Sequence, residues 1–275
     1  MKHSIKIEKK EPLLVLNSGI VYAQRKYWCG SATYPLKLSL LMPRTFFPYD
    51  EKAKYPLLVW ICGGGFTEMN RDVWMPELAY FAKHGFAVAS VEYTTAQRDS
   101  WPQQLIDIKE AIRWLRAHEE EYAYDAGKIG VMGESAGGYF TAAVAASGET
   151  REFDLGENLE KSSAVQAAVP FYPPINVREV EVDPEVVVVP RDMERYLDPR
   201  DYITDKTPPF LIFHGMLDSQ VPYEQGEKLY EALKKAGVES DLYLVEGAEH
   251  AEGQFYQEET KAIIVRFLEK HLKQQ

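Results

Sequence analysis

Six short apolar runs recur along the chain, and stretches with helical spacing separate most of them. Residues 56–62 (PLLVWIC), 86–93 (FAVASVEY), 128–132 (KIGVM), 165–171, 209–214 (PFLIFH) and 241–246 (DLYLVE) are almost continuously hydrophobic. A strand that alternates can leave one face in water, whereas a strand that does not must be covered on both. Between these runs, Leu105, Ile108, Ile112 and Leu115 mark one face of a helix. Leu229, Ala232, Leu233 and Ala236 do the same before a Gly237 stop, Ile264, Phe267 and Leu268 carry a third stripe, and residues 75–84 end at Gly85. We read these stripes as core packing. The alternation predicts an α/β fold, with a mainly parallel central sheet of about eight strands and helices on both faces. Residues 20–28 and 36–42 alternate in polarity and predict an antiparallel pair at the sheet edge, the second ending at Pro43.

No repeat or long linker interrupts the pattern, so residues 1–275 are expected to form one domain. Residues 173–208 break the rhythm, being rich in Pro, Asp and Glu around the apolar Val186–Val189. An excursion of that length is expected to be a lid or loop insertion over one edge of the sheet. The 31 basic and 42 acidic side chains leave a formal charge of −11, which repels phosphate backbones and anionic bilayers. Neither nucleic acid nor membrane is an expected partner. Cys29 and Cys62 suit neither a disulfide framework nor a structural metal site. Residues 1–12 have no apolar core of a signal peptide, and no run reaches the ~18 apolar residues of a spanning helix. A cytoplasmic protein is the expectation.

The chemistry concentrates at Gly133-Glu134-Ser135-Ala136-Gly137, which follows one apolar run and precedes the small-residue stretch 138–146. A strand, a sharp turn and a helix in that order raise a serine above the sheet, at a helix N-terminus that favours negative charge. Gly133 and Gly137 remove side chains where the turn is tightest. Glu134, inside the turn, is expected to fix it. A serine hydroxyl needs a base, and the base a carboxylate to orient it. Asp218 follows the run 209–214 within HGMLDSQVP, and His250 follows the run 241–246 within GAEHA. Of the other histidines, His3 and His271 lie near the termini and His84 and His118 at helix ends. His214 is expected to brace the acid loop. Glu246 and Glu249 lie too close to His250 in sequence to fit easily the expected order of serine, acid and histidine, each on a loop after a strand.

Cys62-Gly63-Gly64-Gly65-Phe66 follows the apolar run 56–62. Three glycines there let backbone N–H groups point into a cavity, and Gly64, Gly65 and Ala136 are the candidate donors to an oxyanion. The run lacks the spacing of a nucleotide loop.

Together GESAGG, the glycine loop, HGxxDxxVP and the WPQQ segment before Asp107 resemble the α/β-hydrolase superfamily. The chain is most similar to the esterase/lipase group with an HGGG-type oxyanion loop, and there to compact carbohydrate acetyl and feruloyl esterases. The resemblance implies Ser135, Asp218 and His250 as triad and no metal or cofactor. The family's first HGGG residue, histidine, is Cys62 here. The stretch before the glycine loop is too short for an N-terminal helical cap, which makes 173–208 the expected lid.

The expected function is a serine esterase for short-acyl esters, small molecules or acylated oligosaccharides. Phe66, Trp101, Tyr139 and Tyr172, with Trp74 and Phe171, flank the loop mouths as candidate pocket residues. An amide hydrolase with the same triad, a formamidase or peptidase, stays open, as does a binding protein on this scaffold.

Overall fold

In the computed structural model, residues 1–27, 30–44, 54–122, 124–177, 179–180 and 198–273 are described. Eight strands form one sheet: β1 (Leu13–Lys26), β2 (Thr33–Arg44), β3 (Tyr55–Ile61), β4 (Ala87–Val91), β5 (Tyr124–Glu134), β6 (Ala167–Phe171), β7 (Phe210–Gly215) and β8 (Ser240–Val245). Their order is β1-β2-β4-β3-β5-β6-β7-β8. The β1–β2 and β2–β4 pairs are antiparallel and the other five pairs are parallel. Helices α1 (Met75–Lys83), α2 (Gln103–Ala117), α3 (Glu119–Tyr122), α4 (Ala136–Ala146), α5 (Glu224–Lys235) and α6 (Glu258–Leu272) complete the elements used below.

The continuous apolar runs are the inner strands. On β3, Leu57, Val59 and Ile61 join the core beneath α2, α4 and α5, while Leu58 and Trp60 join the core beneath α1 and α6. From Pro56 to Ile61 both faces are dry, which excludes charged side chains there. The edge pair is antiparallel as expected, but it begins at Leu13, and Trp28 lies outside the described residues. Strand β2 does not end at Pro43, which pairs with Leu14 one residue from the strand's end. Strand β5 starts earlier than its apolar run, because Tyr124 pairs with Tyr55 before a register shift. Of the excursion 173–208, Ile175 and Val177 are buried and Pro199–Tyr202 forms a 3-10 turn against α4. Val186–Val189 lies outside the described residues.

Helix α2 departs from a simple amphipathic reading. Its apolar stripe packs on the sheet, but Asp107, Lys109, Glu110 and Arg113 on its other faces are buried too. Asp154 explains two of them. Its Oδ1 lies 3.2 Å from an Arg113 nitrogen, 3.5 Å from Lys109 Nζ and 2.6 Å from the Ser163 hydroxyl. Lys109 also donates to the Ser147 carbonyl at 2.9 Å, and Arg113 to that of Glu157 at 3.1 Å. Burial lowers the Lys109 ammonium's pKa, and Asp154 opposes that shift. Removing one partner of a buried charge cluster strands the others. Asp154→Ala is therefore expected to cost about 3–5 kcal/mol of stability, read from urea unfolding. A loss below about 1 kcal/mol would show that backbone carbonyls alone satisfy the two cations.

Candidate active site

Ser135 stands between the end of β5 and the start of α4 with φ 55° and ψ −122°. A non-glycine residue at positive φ costs of order 1–3 kcal/mol and needs surroundings that impose it. Here its N–H donates to the Phe171 carbonyl of β6 at 3.1 Å, and its carbonyl accepts from Tyr139 N–H at 3.0 Å. The flanking glycines follow from packing. A Cβ at Gly137 would lie 2.0 Å from the Ile61 carbonyl oxygen, and one at Gly133 2.6 Å from the same atom.

Strands β7 and β8, beyond β6, deliver the partners. His250, in the loop after β8, has Nε2 2.9 Å from Ser135 Oγ and Nδ1 2.7 Å from Asp218 Oδ2. Asp218, in the loop after β7, accepts at Oδ1 from the N–H groups of Gln220 (3.0 Å) and Val221 (2.8 Å). The structure thus brings all three expected residues into one hydrogen-bonded line. Burial pushes the Asp218 carboxyl up. The imidazoles of His214 and His250 and the Val221 N–H outweigh it and hold the group well below the usual carboxylate range. The two loops are tied together by Glu249, whose Oε2 accepts from the Ser219 N–H (3.1 Å) and hydroxyl (3.0 Å).

The glycine loop turns at Gly64 (φ 126°), Gly65 (φ 57°) and Phe66 (φ 66°). The Gly64 carbonyl accepts from Thr67 and Glu68 N–H, at 3.1 and 3.0 Å. Neither Gly64 nor Gly65 N–H donates to a hydrogen bond among the described residues. The Ala136 N–H is the first of α4 and has no carbonyl one turn before it within the helix.

Glu134 does not fix its own turn. Its carboxylate crosses to the glycine loop, where Oε1 accepts from Gly63 N–H (2.5 Å) and the Trp74 indole (3.2 Å), with the Cys62 thiol at 3.8 Å. Burial pushes the carboxyl up while these donors pull it down. Trp74 in turn stacks on Tyr256 at 4.4 Å. Sequence reading missed Tyr256, which follows His250 in a 3-10 turn and carries no motif.

Among the candidate pocket residues, Tyr139 and Tyr172 are fully buried and Phe66 nearly so. Phe66 packs edge-on to Tyr139 and Phe140. Tyr172 stands 4.7 Å from the His250 ring, and its hydroxyl lies 3.2 Å from that of Tyr256. Trp101 is half-buried against Tyr139 and Phe153. His84 and His118 bond the carbonyls of Tyr80 and Trp114 at their helix ends, both at 2.8 Å. No helix among the described residues is long and apolar enough to cross a membrane.

The family model BD-FAE matches residues 45–233, a span that holds Ser135 and Asp218 but stops before His250. The probable carboxylic ester hydrolase LipM of Mycobacterium tuberculosis is 32% identical over 209 residues, 70% of this chain and 48% of LipM. The chain spans about half the length of the curated relatives it matches. A truncated carbohydrate esterase from gut microbiota superposes with a TM-score of 0.80 over 94% of this chain and 97% of its own, at 23% identity, a likeness of fold. Thermogutta terrifontis esterase 2, solved phosphorylated by paraoxon, gives a TM-score of 0.74 at 27% identity over 93% and 94% of the two chains. It has also been solved with butyrate bound.

Three variants probe this geometry. Glu134→Ala frees the Gly63 N–H and is expected to lower kcat on an ester about 10–100-fold with KM little changed. Glu134→Gln keeps an acceptor and recovers part of the loss. Asp218→Asn tests the depressed carboxyl through stability. A lowered pKa stabilises the fold above the ordinary Asp value of about 3.9 and loses that stabilisation as acid protonates the group. Chemical denaturation at pH 7 is expected to find the variant less stable, with the gap closing below about pH 4. A gap that persists in acid would count against charge as its origin.

Proposed function

We propose, from the premise that the chain belongs to the BD-FAE family of α/β-hydrolase esterases, that it hydrolyses carboxylic esters with Ser135 as nucleophile. The observation that carries this reading is the line from Ser135 Oγ through His250 to Asp218, at 2.9 and 2.7 Å. Ser135 Oγ attacks the ester carbonyl while His250 Nε2 takes its proton. The carbonyl oxygen becomes an oxyanion held by the N–H groups of Gly64, Gly65 and Ala136. As the intermediate collapses, the C–O bond to the alcohol breaks and His250 returns the proton to the leaving oxygen. Water then attacks the acyl-serine with His250 again as base, releasing the acid and restoring Ser135. Asp218 remains ionised and stabilises the charged imidazole at each proton transfer. Side chains and water supply every proton, so the scheme uses no metal or cofactor.

The substrate class we favour is a short-acyl ester, with acetyl or feruloyl groups on carbohydrate as the natural form. The butyrate-bound esterase 2 supports the short acyl chain. Trp101, half-buried against Tyr139 in the first turn of α4, is our candidate for stacking on a sugar ring.

The test is turnover of p-nitrophenyl acetate, butyrate and octanoate, acetylated xylo-oligosaccharide and a formanilide, with Ser135→Ala beside the native chain. We expect acetate or butyrate to be preferred, acetate to be released from the sugar, and Ser135→Ala to lose at least roughly a thousandfold in kcat. Formanilide turnover exceeding that of every ester would favour an amide hydrolase. Ester turnover that survives Ser135→Ala would remove the serine mechanism.

A further inference from the structure

His214 is fully buried near the end of β7. Its Nε2 lies 2.8 Å from the Val221 carbonyl oxygen and 3.5 Å from Asp218 Oδ2. A carbonyl can only accept, so the ring carries a proton on Nε2. Nδ1 has no hydrogen-bond partner among the described residues. It faces Gly226 of α5, where a Cβ would come within 2.8 Å of it. The ring is therefore held on one side by a glycine and aimed on the other at the acid loop. Val221 gives its N–H to Asp218 Oδ1 and its carbonyl to His214 Nε2. The segment from His214 to Val221 closes on itself, and two imidazoles converge on one carboxylate oxygen, His250 at 2.7 Å and His214 at 3.5 Å.

We propose that His214 is a positioning residue for ester hydrolysis: its Nε2–H, given to the Val221 carbonyl and facing Asp218 Oδ2, holds the acid loop so that Oδ2 receives the His250 Nδ1–H. The inference rests on the reading of Ser135, His250 and Asp218 as a triad. A carboxylate can rotate and exchange its two oxygens. In this loop Oδ1 is engaged by two backbone N–H groups, and Oδ2 is faced from below by the His214 donor. Rotation would break contacts on both sides, so Oδ2 keeps its aim as the His250 ring takes up and gives back the Ser135 proton. The spacing of histidine, aspartate and valine in HGMLDSQV follows from this closed ring of contacts. The histidine must end the strand, the acid must turn back over it, and the valine must offer both backbone groups.

The experiment uses His214→Gln, His214→Asn and His214→Leu in the full chain, with Ser135→Ala as reference. A glutamine amide reaches as far as Nε2 and retains an N–H there, an asparagine amide stops near the position of Nδ1, and leucine has no donor. Leu and Asn are expected to lower kcat for p-nitrophenyl acetate about 10–100-fold with KM within about twofold of the native value. Gln is expected to return kcat to within about fivefold of native. In proton NMR spectra, the downfield signal of the His250 Nδ1–H is expected to move in Leu and Asn and to return in Gln. Native kcat in a folded Leu or Asn variant, or equal losses in Gln and Asn, would overturn the proposal. Should Leu fail to fold, the Gln–Asn pair decides alone, because both carry the same amide at different reach. Native turnover that survives Ser135→Ala would instead remove the triad reading on which the inference stands.

Discussion

The carbonyl groups that end β3 and β6 reach over the turn containing Ser135, and the rest of the site depends on that approach. A Cβ at Gly137 would meet the Ile61 oxygen at 2.0 Å, and one at Gly138 would meet the Phe171 oxygen at 2.5 Å. Both carbonyls stand where they do because β3, β5 and β6 are parallel and packed on both faces, which leaves the sheet little room to relax. The Phe171 carbonyl then takes the Ser135 N–H and holds the serine at its positive φ. The strain is local, and the sheet core that opposes it is large. With β5 fixed, β7 and β8 lie one and two strands beyond β6, and the loops after them carry Asp218 and His250 to the serine.

The charged residues beneath this frame are organised by the same economy of space. Helix α2 is covered on its outer side by β1 and by the segment around Asp154, so its polar side chains are buried and have to be matched. Arg25 of β1 meets Asp107 at 2.7 Å and also pairs with Glu110. Asp107 in turn accepts from the Thr94 N–H at 2.7 Å and from Gln103 at 2.6 Å. Burial pushes the Asp107 carboxyl up, and Arg25 is the first group that pulls it back. The loop after β4 is thereby fastened to α2, and the edge strand to both. A polar contact with three donors on one carboxylate fixes direction as well as distance, which apolar packing alone does not do.

How much of this was legible in the sequence depended on the range of the contact. The inner strands were visible because dryness on both faces writes itself residue by residue, as in Leu57 to Ile61. The elbow and the loops of Asp218 and His250 were visible because each is a local pattern after a strand. The early start of β5 was hidden, since Asp125 and Gly127 carry no apolar signal and pairing with Tyr55 is a long-range event. The burial of α2's polar face was hidden for the same reason. Its Lys109 and Arg113 look like a solvated face until Asp154, more than forty residues on, is brought against them. The bridge from Glu134 to Gly63 and Trp74 spans still longer separations and leaves no trace in spacing.

That bridge also accounts for Cys62 at the position where the HGGG-type loop carries histidine. A histidine there would supply ring nitrogens to tie the loop to its surroundings. In this chain the loop is tied from other directions. The Tyr93 hydroxyl donates to the Cys62 carbonyl at 2.9 Å, and Gly63 N–H donates to Glu134 at 2.5 Å. The Trp74 indole shares that carboxylate oxygen and is itself stacked on Tyr256. Burial and the nearby Glu134 push the Cys62 thiol up to about 12, so it keeps its proton and adds no second negative charge beside the carboxylate. A small, protonated side chain is what this corner accommodates, because Glu134 already fills the space at Gly63, where a Cβ would lie 2.6 Å from the Glu134 carbonyl oxygen and 2.7 Å from its carboxylate. The loop is anchored here by a carboxylate on the elbow. The glycine loop is consequently joined to the elbow that carries Ser135 through one buried side chain, that of Glu134.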